Sequence, residues 1–126
     1  MDIRRAVAVG IGAMAGASIR WAVTRAFGDE SLDAVLLGVN VAGCLLLGLL
    51  SELPPPDLDS RTRALLGAGL CGTLTTWSAL AVQTATGLRA GTWLAASTWL
   101  SANIAVGITA AVLGRNLGRR RWGADP

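Results

Sequence analysis

Polar side chains lie inside long apolar segments of this sequence, and seven of them are notable for chemistry that could serve a function. They are Arg20, Asn40, Thr75, Thr76, Ser78, Gln83 and Asn103. A polar group inside a lipid bilayer is costly unless it is bonded, so each position invites a functional explanation. Amides and hydroxyls supply hydrogen-bond donors, and Arg20 adds a fixed positive charge. Together these groups favour an anion as the ligand.

The residue types that are missing exclude several other functions. No carboxylate lies deep within an apolar segment, and Glu52 stands at the end of one. A small multidrug-type exporter needs a membrane-embedded acid to exchange protons for its substrate, so that class is disfavoured. The sequence has no histidine, no paired carboxylates in a span and no activated serine or cysteine arrangement, so we predict no enzyme activity. Cys44 and Cys71 lack metal-ligand spacing and are interpreted as packing thiols.

Composition and hydropathy indicate an all-α membrane protein. Only 15% of the residues are charged, whereas a soluble domain has roughly 25%. Apolar segments of about 20 residues are long enough to cross a bilayer as helices. We predict one domain over residues 1–126 with four transmembrane helices, at about 6–26, 34–53, 64–84 and 92–114. The connections are predicted at 28–33, 54–61 and 86–91, and residues 115–126 form a basic tail.

The arginines are distributed unevenly between the two sides of this four-span arrangement. Arg20 lies within the first span, and only Arg25 and Arg89 fall on one side. The other eight fall on the opposite side: Arg4, Arg5, Arg61, Arg63, Arg115, Arg119, Arg120 and Arg121. The positive-inside rule therefore predicts a multi-pass protein of the plasma membrane with both termini in the cytoplasm. Because the basic residues lie at segment ends rather than along one amphipathic face, nucleic acid is excluded as a partner.

The third apolar segment has its least helical residues at its centre. "GAGLCGTLTTWSAL", residues 67–80, holds three glycines followed by four hydroxyl residues within six positions. Glycine costs a helix about 1 kcal/mol relative to alanine, and threonine costs less. Close helix packing explains many glycines in membrane spans, and lone hydroxyls often bond to neighbouring helices. The residues alone leave open whether this stretch serves packing or an anion pathway.

Four motifs resemble the Fluc family of fluoride channels, which is also called CrcB. "GIGAMAGASIRW" in the first span is similar to the family's glycine-rich stretch ending G-A-x-x-R-[YW]. "GVNVAGCLLLG" in the second span has its Asn and Gly residues at family spacing. "GLCGTLTTWSAL" in the third is similar to G-x-x-G-G-x-T-T-F-S-T-F, and "WLSANIAVG" in the fourth follows a looser family pattern. The resemblance covers nearly the whole chain.

The resemblance implies a specific architecture and function. It implies a break in the third helix, an antiparallel dimer of the dual-topology type, and passive fluoride export that reduces cytoplasmic fluoride toxicity. By motif position, the backbone carbonyls of Gly72 and Thr75 would hold a structural Na⁺ that is not transported. Arg20 and Gln83 would have structural or electrostatic roles. The pore-lining residues implied by the resemblance are Asn40, Thr76, Trp77, Ser78, Leu80 and Asn103.

The sequence departs from the family pattern in the part that would line the pore. Trp77 and Leu80 stand at two phenylalanine positions, and Gln83 stands where the family often has glutamate. These departures are compatible with a homodimer that has a modified pore, or with a heterodimer whose partner supplies the phenylalanines. The strong arginine bias fixes one orientation, so an inverted partner would be a different chain, and we favour the heterodimer. The alternative function is a non-conducting subunit that stabilises another channel chain.

Overall fold

The structure, a computed structural model, describes residues 2–27, 32–53 and 59–123, and these ranges contain helices and no strand. Four helical stretches are long and apolar enough to cross a membrane: Ile3–Phe27, Asp33–Ser51, Ser60–Arg89 and Trp93–Trp122. The predicted all-helical chain with four spans is therefore confirmed. The parts of the predicted connections at 28–31 and 54–58 lie outside the described residues.

The third span consists of several helical segments, whereas the other three are single helices. Helix α1 covers Ile3–Phe27, α2 covers Leu32–Ser51 and α6 covers Trp93–Trp122. Within the third span, α3 (Ser60–Ala64) leads into a π-helical segment, Leu65–Cys71. The short α4 and then α5 follow, at Gly72–Leu74 and Trp77–Arg89.

The ends of the last two helices differ from the predicted span limits. Helix α5 continues to Arg89, and the turn to α6 is made at Gly91, whose φ of 77° lies in the left-handed region that favours glycine. Helix α6 continues beyond residue 114 to Trp122, so most of the predicted basic tail is helical. Residues 124–126 of that tail lie outside the described ranges.

Helices α2 and α6 pack with their backbones in close contact. A side chain at Gly48 would collide with the Ala111 carbonyl, and one at Gly114 would collide with the Leu45 carbonyl. Small residues permit this approach, which is the usual basis of helix packing in membranes. Gly118 of α6 is also close to α2, because a side chain there would lie 3.1 Å from the Leu49 carbonyl oxygen. Glycines of both helices therefore hold α6 against the second half of α2.

Ion pairs and a side-chain cap join the helix ends next to this interface. Glu52 accepts from Arg115 Nε at 2.5 Å and lies 3.4 Å from Arg119 Nε. The hydrogen bond from Arg115, with the charges of both arginines, lowers the pKa of Glu52. Arg63 donates to the carbonyl oxygens of Leu50 at 3.0 Å and Leu53 at 2.8 Å. These bonds satisfy carbonyls that the end of α2 leaves without helical partners.

Helix α1 packs closely against the glycine-rich part of the third span. A side chain at Gly12 would collide with the Leu65 carbonyl, and one at Gly16 would collide with Thr73 Oγ1. The same hydroxyl donates to the Ala13 carbonyl at 3.0 Å. Helix α1 therefore supports the part of the third span that leads to α4.

We expect Gly12→Ala to destabilise the protein, and Gly10→Ala to serve as its matched control in the same helix. Added bulk in a packed interface costs about 1–3 kcal/mol, whereas alanine gains about 1 kcal/mol of helix propensity. Apart from its own helix, a side chain at Gly10 would meet no atom of the described residues within 4 Å. Thermal unfolding of the detergent-solubilised protein measures both effects. Equal melting temperatures for the two variants would contradict the close contact at Gly12.

Candidate functional site

Two consecutive threonines interrupt the helical backbone of the third span. Thr75 has φ −72° and ψ 150°, and Thr76 has φ −137° and ψ 110°, so both are extended. The backbone N–H of Thr76 donates to Asn40 Oδ1 of α2 at 2.8 Å. Thr76 is also the N-cap of α5, because its Oγ1 accepts from the N–H of Ala79 at 3.2 Å. Side chains thus replace the helical bonds that the extended residues cannot make.

The interruption also deprives several carbonyl groups of their usual helical donors, those of Gly72 and Thr75 among them. In a continuous α-helix, the N–H of Thr76 would bond to the Gly72 carbonyl, and the N–H of Ala79 would bond to the Thr75 carbonyl. Both N–H groups are engaged by side chains instead. Carbonyl oxygens of this kind are ligands that hard cations prefer. The donor chemistry at Gly72 and Thr75 therefore fits the Na⁺ implied by the resemblance, and ion binding there stays a prediction.

Five of the six predicted pore-lining residues line one groove of about 270 Å³. They are Asn40, Thr76, Trp77, Leu80 and Asn103. Leu80, Thr76 and Asn103 are buried, whereas the Trp77 side chain is 66% exposed in the single chain. Asn103 Nδ2 donates to the Trp99 carbonyl at 2.9 Å, so one of its amide hydrogens is used within α6. The groove runs from the interruption of the third span to the middle of α2 and α6.

Ser78 does not line this groove, because it lies on the other side of Thr76. A second groove, of about 520 Å³, includes Thr76 and Ser78 together with Arg20 and Gln83. The hydroxyls of Thr76 and Ser78 are 3.2 Å apart, so they connect the two grooves at the start of α5. A third pocket, of about 310 Å³, brings together Gly72, Thr75, Arg20, Thr76, Trp77 and Ser78. The predicted residues therefore line three neighbouring pockets that share Thr76.

Comparison with known proteins identifies the family. The family model described as "CrcB-like protein, Camphor Resistance (CrcB)" matches residues 7–115. The chain is 39% identical over 126 residues to "Fluoride-specific ion channel FluC 2" of Synechococcus sp. (strain CC9605), covering 100% of this chain and 89% of that protein. The chain belongs to the CrcB family. The resemblance found in the sequence motifs is confirmed.

Two further relatives of this CrcB chain carry similar names. It is 41% identical over 110 residues to "Fluoride-specific ion channel FluC 2" of Rhodococcus jostii (strain RHA1), covering 86% of this chain and 94% of that protein. It is 38% identical over 112 residues to "Fluoride-specific ion channel FluC 1" of Thermobifida fusca (strain YX), covering 86% and 91%. These relatives are named as ion channels, and the prediction that this chain is a membrane protein and not an enzyme is confirmed.

Sequence reasoning did not include two residues that this CrcB chain places at the grooves. Cys44 lines the first groove, one helical turn after Asn40 on the same face of α2, so the four-residue spacing could have identified it. Asp33 accepts a hydrogen bond from Gln83 Nε2, which lines the second groove. No local sequence signal identifies this contact, because the two residues are 50 positions apart in the chain.

We expect Asn40→Ala to destabilise this CrcB chain by about 1–3 kcal/mol, because it leaves the part-buried N–H of Thr76 without a partner. Asn40→Asp keeps the acceptor oxygen and should retain most of the stability. Thermal unfolding in detergent measures both variants, and Asn116→Ala on the exposed face of α6 is the control. Equal losses in Asn40→Ala and Asn116→Ala would mean that the bond to Thr76 contributes little.

Proposed function

We propose that this chain is a subunit of a fluoride-specific channel that carries fluoride passively out of the cell and so reduces fluoride in the cytoplasm. The observation that carries the proposal is the groove in which Asn40, Thr76, Trp77, Leu80 and Asn103 meet beside the interruption of the third span. Relatives of this chain are named as fluoride-specific channels, and this supports fluoride as the ion.

The groups at the two grooves can replace water around a small anion. A backbone N–H only donates, so the amide atom of Asn40 that faces Thr76 must be its oxygen. The Nδ2 group is therefore the branch of Asn40 that remains as a donor. The hydroxyls of Thr76 and Ser78 add donors, and Trp77 contributes an electropositive ring edge and an indole N–H. These groups hold an anion by hydrogen bonds, and Arg20 in the second groove adds a positive charge beside them.

A structural Na⁺ belongs to the same proposal. The carbonyl oxygens of Gly72 and Thr75 would hold it, since their usual helical donors are bonded to Asn40 and to the Thr76 hydroxyl. When bound, the cation would supply a fixed positive charge and a tie between two chains. Backbone carbonyls at membrane depth need such a partner, because lipid offers no hydrogen bond to them.

The proposed assembly is an antiparallel dimer with a second CrcB-type chain in the plasma membrane, with the termini of this chain in the cytoplasm. Trp77 is exposed on the open side of the groove, so a single chain leaves the groove incomplete. The arginine bias favours one orientation, so the inverted partner is a different chain. Relatives numbered FluC 1 and FluC 2 are compatible with paired chains. Leu80, buried at a position where the family has an aromatic ring, also supports a partner that supplies one.

We expect Asn40→Asp to lower fluoride efflux from liposomes at least about tenfold, because like charges a few ångströms apart repel by several kcal/mol. The fold should persist, since the carboxylate still accepts from Thr76. Asn116→Asp adds the same charge on the exposed face of α6 and should leave efflux unchanged. Unchanged efflux in Asn40→Asp, measured with the partner present, would favour the non-conducting stabilising subunit over a conducting one.

We expect the chain reconstituted alone to show little fluoride efflux, and efflux to appear when it is reconstituted with a second CrcB-type chain. That second chain should carry phenylalanine at both of its pore positions and the opposite arginine bias. Efflux is measured with a fluoride electrode, and chloride efflux is the selectivity control. Strong efflux from the lone chain would contradict the heterodimer and leave the channel proposal intact.

A further inference from the structure

Gln83 of α5 is bonded on both branches of its amide by two other helices. Its Nε2 donates to Asp33 Oδ1 at the start of α2, and its Oε1 accepts from Trp99 Nε1 of α6 at 3.3 Å. An indole N–H can only donate, and an ionised carboxylate can only accept. The Gln83 amide can therefore satisfy both neighbours in one orientation only, which fixes it between α2 and α6.

The Asp33–Gln83 contact is the second polar link between α2 and the segment that starts at the interruption. The first is the bond from the Thr76 N–H to Asn40. Asp33 and Asn40 are seven residues apart, as are Thr76 and Gln83, and the order is reversed between the two segments. Seven residues are two helical turns, about 10 Å along each axis. The two links therefore specify a single antiparallel register of α5 on α2.

An apolar layer lies between the two links. Leu36 and Val39 of α2 are buried with Leu74, and Ala79 of α5 packs against them. The bond from Thr76 to Asn40 is part-buried beside this layer, whereas the bond from Gln83 to Asp33 is exposed. Apolar packing alone tolerates small shifts along a helix axis, whereas the two polar links do not.

We infer that Asp33 is a positioning residue for the pore segment: acting through Gln83, it holds α5 so that Thr76 and Ser78 stay in register with Asn40. The extended Thr75 and Thr76 separate α5 from α4, and α5 packs mainly against α6, so its position relative to α2 depends on the two polar links. Its far end is fixed by the turn, where Thr92 Oγ1 donates to the Gly87 carbonyl at 2.9 Å. The expected effect of Asp33 on fluoride efflux rests on the proposed function, whereas its effect on the position of α5 does not.

A charge exchange between Asp33 and Gln83 tests this inference in the full chain assembled with its partner. Asp33→Asn keeps an acceptor for Gln83, so it should resemble the unmodified protein. Gln83→Glu places two carboxylates together and should release α5. In the double variant Asp33→Asn/Gln83→Glu, the new amide donates to the new carboxylate, so the link is restored with its donor and acceptor exchanged.

Two readouts separate the inference from the proposed function. Hydrogen exchange of the amides of 77–83 reports the hold on α5, and fluoride efflux reports conduction. We expect Gln83→Glu to speed exchange and lower efflux about tenfold each, the effect of losing roughly 1.4 kcal/mol, and the double variant to recover both within about twofold. Asn116→Asp is the control for an added carboxylate.

The outcomes are distinguishable. If the unmodified assembly carries no fluoride while exchange shows the loss and the rescue, the proposed function fails and the positioning role stands. A different outcome would overturn the positioning role. In that outcome the unmodified assembly carries fluoride, and hydrogen exchange in the double variant shows only the sum of the effects of the two single variants. The channel proposal would then stand. Asp33→Asn that releases α5 as strongly as Asp33→Ala would also overturn the positioning role, because the carboxylate charge and not the acceptor would then be required.

Discussion

The hydrogen bond from the Thr76 N–H to Asn40 Oδ1 is the interaction on which the rest of the site depends. Inside a bilayer no water is available to a freed backbone group, so a helix can be interrupted only where protein satisfies it. Asn40 satisfies the first free N–H, and the Thr76 hydroxyl satisfies the N–H of Ala79. The same two bonds withdraw the usual donors from the carbonyls of Gly72 and Thr75. One amide of α2 thus permits the extended backbone and takes up the N–H that a continuous helix would give to the Gly72 carbonyl.

The glycines of α1 and α2 make this arrangement sterically possible. A side chain at Gly43, three residues after Asn40, would lie 2.5 Å from the Thr75 methyl, and one at Gly16 would collide with Thr73 Oγ1. The residues around the interruption therefore fit into gaps on both neighbouring helices. Their β-branched side chains, which disfavour a helix, fill these gaps and bond to carbonyls, as Thr75 Oγ1 does to Cys71 at 3.0 Å. The glycines and threonines act together, and neither set explains the geometry alone.

The sequence predicted the features that depend on composition and motif. It missed those that depend on the direction in which each side chain points. Hydropathy was enough for the four spans, and the motifs were enough to group Asn40 with Thr76 and Trp77. They did not separate Trp77 from Ser78. Consecutive residues of a helix point about 100° apart, so Trp77 lines the first groove and Ser78 the second, although both line a third pocket beside Thr75 and Thr76.

Two other features could not be read from local patterns. Asp33 looked like an ordinary residue at a helix start, because its partner is 50 positions away in the chain. The helical continuation of α6 past residue 114 was missed because hydropathy falls where arginines begin, although backbone bonding continues. Arg115 and Arg119 point to Glu52 from that continuation, so the polar end of the helix still serves packing. Hydropathy locates the membrane, and it does not locate the ends of helices that extend beyond it.

Helix α2 has polar contacts at three levels although it is the most apolar of the four spans. Asp33 bonds to α5 near one end, Asn40 bonds to the interruption in the middle, and Glu52 pairs with α6 just beyond the other end. The Glu52 ion pairs are solvent-accessible and contribute little, as surface pairs generally do. The Asn40 bond is part-buried at membrane depth and satisfies a backbone N–H that the interruption frees, so it contributes more. The register of the bundle is therefore set from its centre, where α2 meets the interrupted span, and the ends of α2 refine it.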